Sequence, residues 1–229
     1  MILAILQARM SSSRLPGKVL KTMVGKPVLA LQLERLSQCK KIDKMIVATS
    51  IETSDEPIEA LCRTLNIECF RGNLHDVLDR FYQLSNRYQA DHIVRLTGDC
   101  PLADATVIDQ VISHHVIGHF DYTSNIFPRT YPDGLDVEVM TKSTLDWLNE
   151  QASTQEDREH VTYFLEKRLL EHNLNDIKVG NVSQENDLSA LRWTLDTSAD
   201  FELIESIYQA LYQNNPAFTT NNILEYLAL

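Results

Sequence analysis

Short apolar runs alternate with longer amphipathic stretches over the first half of this chain, and few folds accommodate that order. Residues 2–6 (Ile-Leu-Ala-Ile-Leu) precede a Ser/Gly/Pro loop and a helical pattern over about 27–38. Residues 44–49 form the next strand, followed by a helix from about 56, with Ser54 placed to cap it and Pro57 suited to its first turn. Strands at 67–70 and 92–96 flank a helix over about 74–88, and another helix spans about 104–115. Short continuous apolar strands separated by helices require a parallel sheet covered on both faces. The expected fold is therefore α/β, a three-layer α/β/α sandwich with a mainly parallel Rossmann-like sheet. In such sheets ligands gather at the strand C-terminal ends.

After residue 119 the pattern loosens. Asp121–Ser124 and an alternating segment at 135–139 suggest a small mixed β extension, the second strand half-exposed. Helices at about 141–150, 154–171, 199–211 and 218–228, with strands near 177–182 and 191–194, complete the expectation. One domain over 1–229 is expected, with a small extension at about 120–182.

Net charge is −11, which argues against nucleic acid as the main partner. Residues 1–50 nevertheless carry nine Lys or Arg against two Asp or Glu, so positive charge is concentrated at the start. The apolar opening is broken by Gln7 and Arg9, too short for a signal-peptide core or a membrane span, and a cytoplasmic protein is expected. Cys39, Cys62, Cys69 and Cys100 form no C-x-x-C pair; neither disulfides nor zinc are expected.

The segment Gln7-Ala8-Arg9-Met10-Ser11-Ser12-Ser13-Arg14-Leu15-Pro16-Gly17-Lys18 follows the first strand. Its three cations, three hydroxyls and turn residues suit phosphate: Arg9 and Arg14 can donate paired hydrogen bonds and Lys18 adds a compact charge. It has neither Walker A nor G-x-G-x-x-G spacing. A solvated basic loop is the competing reading, and its place at a strand C-terminal end favours the phosphate one.

This loop, with Gly25-Lys26-Pro27, resembles the opening of the cytidylyltransferases that activate acidic sugars, among them the 3-deoxy-manno-octulosonate and acylneuraminate enzymes. Over nearly the whole chain it is most similar to the cytidylyltransferase-like proteins of spore-coat polysaccharide synthesis, through R-L-T-G-D-C-P-L, Y-P-D-G-L-D-V-E-V and R-E-H-V-T. The resemblance implies a sheet of the nucleotide-diphospho-sugar transferase type. It implies that Arg9, Ser12, Ser13, Arg14 and Lys18 wrap the triphosphate of CTP, that backbone around Leu6, Gln7 and Ala8 reads the base, and that the product is a CMP-sugar in surface polysaccharide synthesis. It also suggests one nucleotidyltransferase domain and a homodimer, with 120–182 as an acceptor-binding or dimerisation extension and 135–139 as a candidate dimer contact.

Two carboxylates are candidates for Mg²⁺. Asp99 follows Thr97-Gly98 at the end of a strand, where capping a turn is the competing role; the resemblance decides for the metal. Asp196 lies in Thr194-Leu195-Asp196-Thr197-Ser198-Ala199-Asp200, similar to the family's V-D-T-P-x-D segment with Leu195 for Val and Ser198 for Pro. Asp200 is expected to support the helix that follows.

Arg71, Asp76 and Arg80 lie where the family places base and ribose, although a salt-bridged helix start explains them equally well. Tyr131, Asp133, Asp136 and Glu138 are expected to shape the acceptor pocket, the last two on one strand face. Arg158 and His160 are candidates to recognise an acidic acceptor, and His114, His115 and His119 are expected at the surface. Two rivals remain open: a glycosyltransferase with Asp136 and Glu138 as metal ligands, and a nucleotide-binding protein without chemistry.

Overall fold

The computed structural model describes residues 1–229 except 172 and 175. In chain order, β1 (Ile2–Gln7) leads through the basic loop to a 3₁₀ turn at Lys18–Leu20, a hairpin of β2 (Thr22–Met23) and β3 (Lys26–Pro27), and α1 (Val28–Leu36). Then follow β4 (Lys44–Ser50), a 3₁₀ turn at Thr53–Asp55, α2 (Glu56–Thr64), β5 (Glu68–Gly72), α3 (Val77–Arg87), β6 (His92–Thr97) and α4 (Ala105–Gly118). The second half comprises β7 (Tyr122–Ser124), β8 (Glu138–Thr141), α5 (Lys142–Gln151), α6 (Gln155–Glu159), α7 (Tyr163–Leu170), β9 (Val179–Asn181), α8 (Ser198–Leu211) and α9 (Thr220–Leu227).

Seven strands form one sheet in the order β5-β4-β1-β6-β8-β7-β9. β1 lies between β4 and β6, parallel to both, and β5 continues in parallel beyond β4. β8 runs antiparallel beside β6 and β7 antiparallel beside β8. Along β1, Ala4 and Leu6 pack into a core that includes side chains of α1, α2, α4, α8 and α9, while Leu3 and Ile5 pack into a second core with α3, α5 and α7. All four are fully buried, Leu3, Ile5 and Leu6 each contributing about 1.5–3 kcal/mol relative to exposure. Alternating side chains that are all apolar force a layer onto each face, which is the expected three-layer arrangement.

Several local expectations are corrected. Ser54 falls inside a 3₁₀ turn; Asp55 holds the cap position of α2, and no side-chain cap bond forms there. The segment at 135–139 becomes regular strand only from Glu138, because Asn125 donates to the Leu135 carbonyl (2.8 Å) and accepts from the Val137 amide (2.9 Å), occupying the position of a neighbouring strand. Val137, Glu138 and Val139 are buried between β6 and β7, so this stretch is neither half-exposed nor a dimer surface. The helix expected over 154–171 breaks at His160, whose backbone turns to φ −110°, ψ 77°, and Val161 enters the core before α7 begins. The strand expected at 191–194 is a single bridge, Asp133 with Arg192. His115 is buried, hydrogen-bonded to Thr123 (3.0 Å) and His92 (3.1 Å), whereas His114 and His119 are exposed. The four cysteines are free thiols.

Candidate active site

The C-terminal ends of β1 and β6 open onto a cleft of about 590 Å³, lined by the basic loop together with Arg95, Asp136, Glu138, Glu159 and His160. The loop is shaped by its own backbone. The Met10 carbonyl accepts the amides of Ser12 (2.9 Å) and Gly17 (3.0 Å), and Gly17 takes φ +68°, a left-handed conformation that glycine adopts without steric cost. Buried Asp55 anchors the loop's entrance, accepting from the Met10 amide (2.7 Å), Thr49 and Ser50. The 3₁₀ turn then carries Lys18 inward, where it is almost wholly buried.

Lys18 Nζ lies 3.0 Å from Asp99 and 2.8 Å from Asp196. Asp99 comes from the turn after β6, and Asp196 from the chain just before α8. Gly134 lets that second segment approach: at φ +113° it has no room for a Cβ, which would stand 2.6 Å from the Trp193 carbonyl carbon. Arg14 and Arg192 also pair with Asp196, at 2.8 and 2.7 Å. Burial opposes the Asp196 charge, but hydrogen bonds from Lys18 and Arg192 outweigh it and hold the carboxyl below its ordinary range. Asp200 accepts the Asp196 and Thr197 amides, closing the capping box of α8, as expected for a helix-supporting residue.

A cation already sits between these carboxylates in the form of the Lys18 ammonium, so two hard oxygen donors converge on one positive charge. Among the described residues no group of three or more His, Cys, Asp or Glu could hold a metal. A pair of carboxylates completed by phosphate oxygens and water is the donor set that Mg²⁺ accepts, and Asp99 and Asp196 fit it.

Gln7, Ala8, Arg9, Ser12, Ser13, Arg14, Lys18, Arg80, Thr97, Asp99, Asp136, Glu138, His160 and Asp196 all line the cleft. Other candidates do not. Leu6 is a core side chain whose backbone is held within the sheet. Arg71 bonds the carbonyls of Ser50 and Glu52 and the Glu59 carboxylate, tying β5 to the start of α2. Asp76 caps α3 and takes two hydrogen bonds from Arg158 (2.9 and 2.8 Å), so those two candidates neutralise each other away from the cleft. Tyr131 is buried in the core and Asp133 pairs with Arg192. Asp136 and Glu138 do face the cleft, but Arg129 grips the first at both carboxylate oxygens, and Arg95 and the Tyr122 hydroxyl hold the second.

Arg80 has the opposite character. It is 2 % exposed, yet its Nε and Nη1 have no partner, and burial together with repulsion from Arg9 pulls its pKa down to about 10. A buried guanidinium with idle donors is costly and well suited to a ligand oxygen. The sequence reading missed Arg95, Thr194 and Glu159, which also line the cleft. For Arg95 the signal was present: a charge inside an apolar strand, two positions before Thr97.

A family model described as cytidylyltransferase matches residues 3–223. The chain is 39% identical over 204 residues to an uncharacterized protein of Methanocaldococcus jannaschii, covering 88% of this chain and 81% of that protein. It is 33% identical over 213 residues to the spore coat polysaccharide biosynthesis protein SpsF of Bacillus subtilis, covering 91% and 86%. The structure of a cytidylyltransferase from Leptospira borgpetersenii superposes with a TM-score of 0.92 at 30% identity, covering 99% of this chain and 93% of that one. A family match that runs from β1 into α9 takes in the basic loop and both carboxylates that flank Lys18, and on that extent the chain belongs to the cytidylyltransferase family.

Proposed function

We propose that this protein transfers the CMP group of CTP to a hydroxyl of an acidic sugar, in the cytoplasm and as a homodimer, releasing pyrophosphate for surface polysaccharide or glycan synthesis. The observation that carries the reading is Lys18 seated between Asp99 and Asp196 beneath a loop bearing Arg9 and Arg14. No helix among the described residues is long and apolar enough to cross a membrane.

In-line attack of the acceptor hydroxyl on the α-phosphorus needs alignment and charge stabilisation rather than a covalent enzyme intermediate. Arg14 and Lys18 turn from their carboxylate partners to the phosphates and stabilise charge on the departing pyrophosphate. Gln7, Ala8 and Arg80 border the region for base and ribose. Asp99 and Asp196 are the residues that would hold Mg²⁺, which when bound neutralises phosphate charge and acidifies a hydroxyl. The acceptor end offers His160, Thr194 and the Arg95–Glu138 pair.

The test is a thermal-shift panel of CTP, UTP, ATP and GTP, each with and without Mg²⁺. Ligand at about 100 times its dissociation constant adds roughly 2.7 kcal/mol, or on the order of 5 °C. A shift with CTP that depends on Mg²⁺ is expected. A response to another triphosphate alone changes the base, and silence with all four overturns the reading.

A further inference from the structure

Arg9 Nη1 donates to Glu159 Oε1 at 3.1 Å, joining residues 150 positions apart. The backbone on either side of Arg9 is fixed: the Ala8 amide bonds the Ala48 carbonyl (3.0 Å) and the Met10 amide bonds Asp55 (2.7 Å). Glu159 is equally well placed. It closes α6, whose start is held by the Thr154–Asp157 capping box, and its neighbour Arg158 is clamped to Asp76 and Asn149. A carboxylate at a helix C-terminal end is disfavoured by the backbone dipoles, so this one depends on the cation facing it. The pair is partly solvated, with side chains 42% and 25% exposed, which keeps it exchangeable.

Two neighbouring carboxylates of the cleft have partners outside the loop. Arg129 holds Asp136 and Arg95 holds Glu138. Glu159 instead borrows its cation from the segment that a triphosphate would occupy. We propose, resting on the cytidylyltransferase reading above, that Glu159 is the resident counter-ion of the phosphate loop: it holds Arg9 in position in the free protein, and the triphosphate displaces it. Its carboxylate mimics a phosphate oxygen, so nucleotide binding is an exchange of one anion for another on the same guanidinium. Once displaced, Glu159 stands beside His160 without a resident cation, in the part of the cleft left for the acceptor. The carboxylate therefore positions Arg9 and sets nucleotide affinity without touching the reacting atoms.

The experiment is calorimetric titration of wild type, Glu159→Gln, Arg9→Gln and the double variant with CTP and with inorganic tripolyphosphate, both with Mg²⁺, after ligand-free melting curves have shown all four to be folded. Glu159→Gln should bind both ligands about two- to five-fold more tightly, the range of a partly exposed ion pair. In the Arg9→Gln background the same substitution should change neither affinity, because the competition acts through that guanidinium. Equal or weaker binding by Glu159→Gln overturns the proposal, as does a gain of the same size without Arg9, which would be a general charge effect. Wild type that binds tripolyphosphate but not CTP removes the nucleotide reading and leaves the counter-ion comparison decided by tripolyphosphate. Wild type that binds neither overturns both.

Discussion

Lys18 holds its ammonium 2.8 Å from a carboxylate oxygen of Asp196 across 178 positions of sequence, with Asp99 3.0 Å away on the other side. Removing one carboxylate leaves the ammonium paired with the other. Asp99→Asn should therefore keep its fold and its melting temperature within a few degrees. Turnover should fall by about two orders of magnitude or more, the scale of losing one charge-stabilising group. Steady-state pyrophosphate release is the readout, and a near-wild-type rate would take Asp99 out of the site.

Arg80 offers a prediction in which stability and binding move in opposite directions. Its guanidinium is buried with two idle nitrogens, so Arg80→Met replaces a charge short of hydrogen bonds with an apolar chain of similar reach. The ligand-free protein should melt at the same temperature or higher, while CTP binds about ten-fold more weakly or worse. A lower melting temperature with unchanged CTP affinity would make Arg80 a structural residue.

Asp76 is expected to behave in the reverse way. Asp76→Ala removes the α3 cap and strands Arg158, which should cost about 2–3 kcal/mol in urea unfolding. CTP affinity should stay within about two-fold. Loss of binding without loss of stability would return Asp76 to the nucleotide site.

The contact of half-buried His92 with buried His115 predicts an acid-sensitive fold. Burial, and then repulsion from His92, hold His115 down at about 4, against an ordinary 6.5, with Asp121 opposing the shift weakly. Burial also lowers His92. The folded chain keeps His115 neutral while the unfolded chain protonates it. Its contribution is therefore complete above pH 6.5 and lost as the pH falls toward 4, amounting to on the order of 3 kcal/mol. The depressed carboxyls of Asp104, Asp196 and Asp200 add their losses only below about 4. Urea unfolding at pH 7 and 4.5 should show a much smaller pH difference for His115→Gln than for wild type. Equal differences would rule out His115 as the source.

Local pattern was enough to read the four parallel strands and the helices of the first half and the loop that follows β1, though not the β2–β3 hairpin. There, a side chain's fate follows from its immediate neighbours: Leu3, Ala4, Ile5 and Leu6 are apolar in succession, and only a strand covered on both sides buries them all. The position of Asp99 at a strand end was legible for the same reason, whereas Asp196, expected at the end of a strand, follows a single bridge at Arg192. Tertiary structure alone decided which charges serve the site and which serve the framework. Arg158 and His160 are two positions apart and looked equivalent as acceptor ligands, yet Arg158 meets Asp76, 82 positions away, and only His160 reaches the cleft. Arg71 and Arg80 divide likewise, one absorbed by carbonyls and Glu59, the other left with idle donors. Ion pairing between distant residues has no periodicity, so the sequence presents the charges and the packing of layers selects their partners.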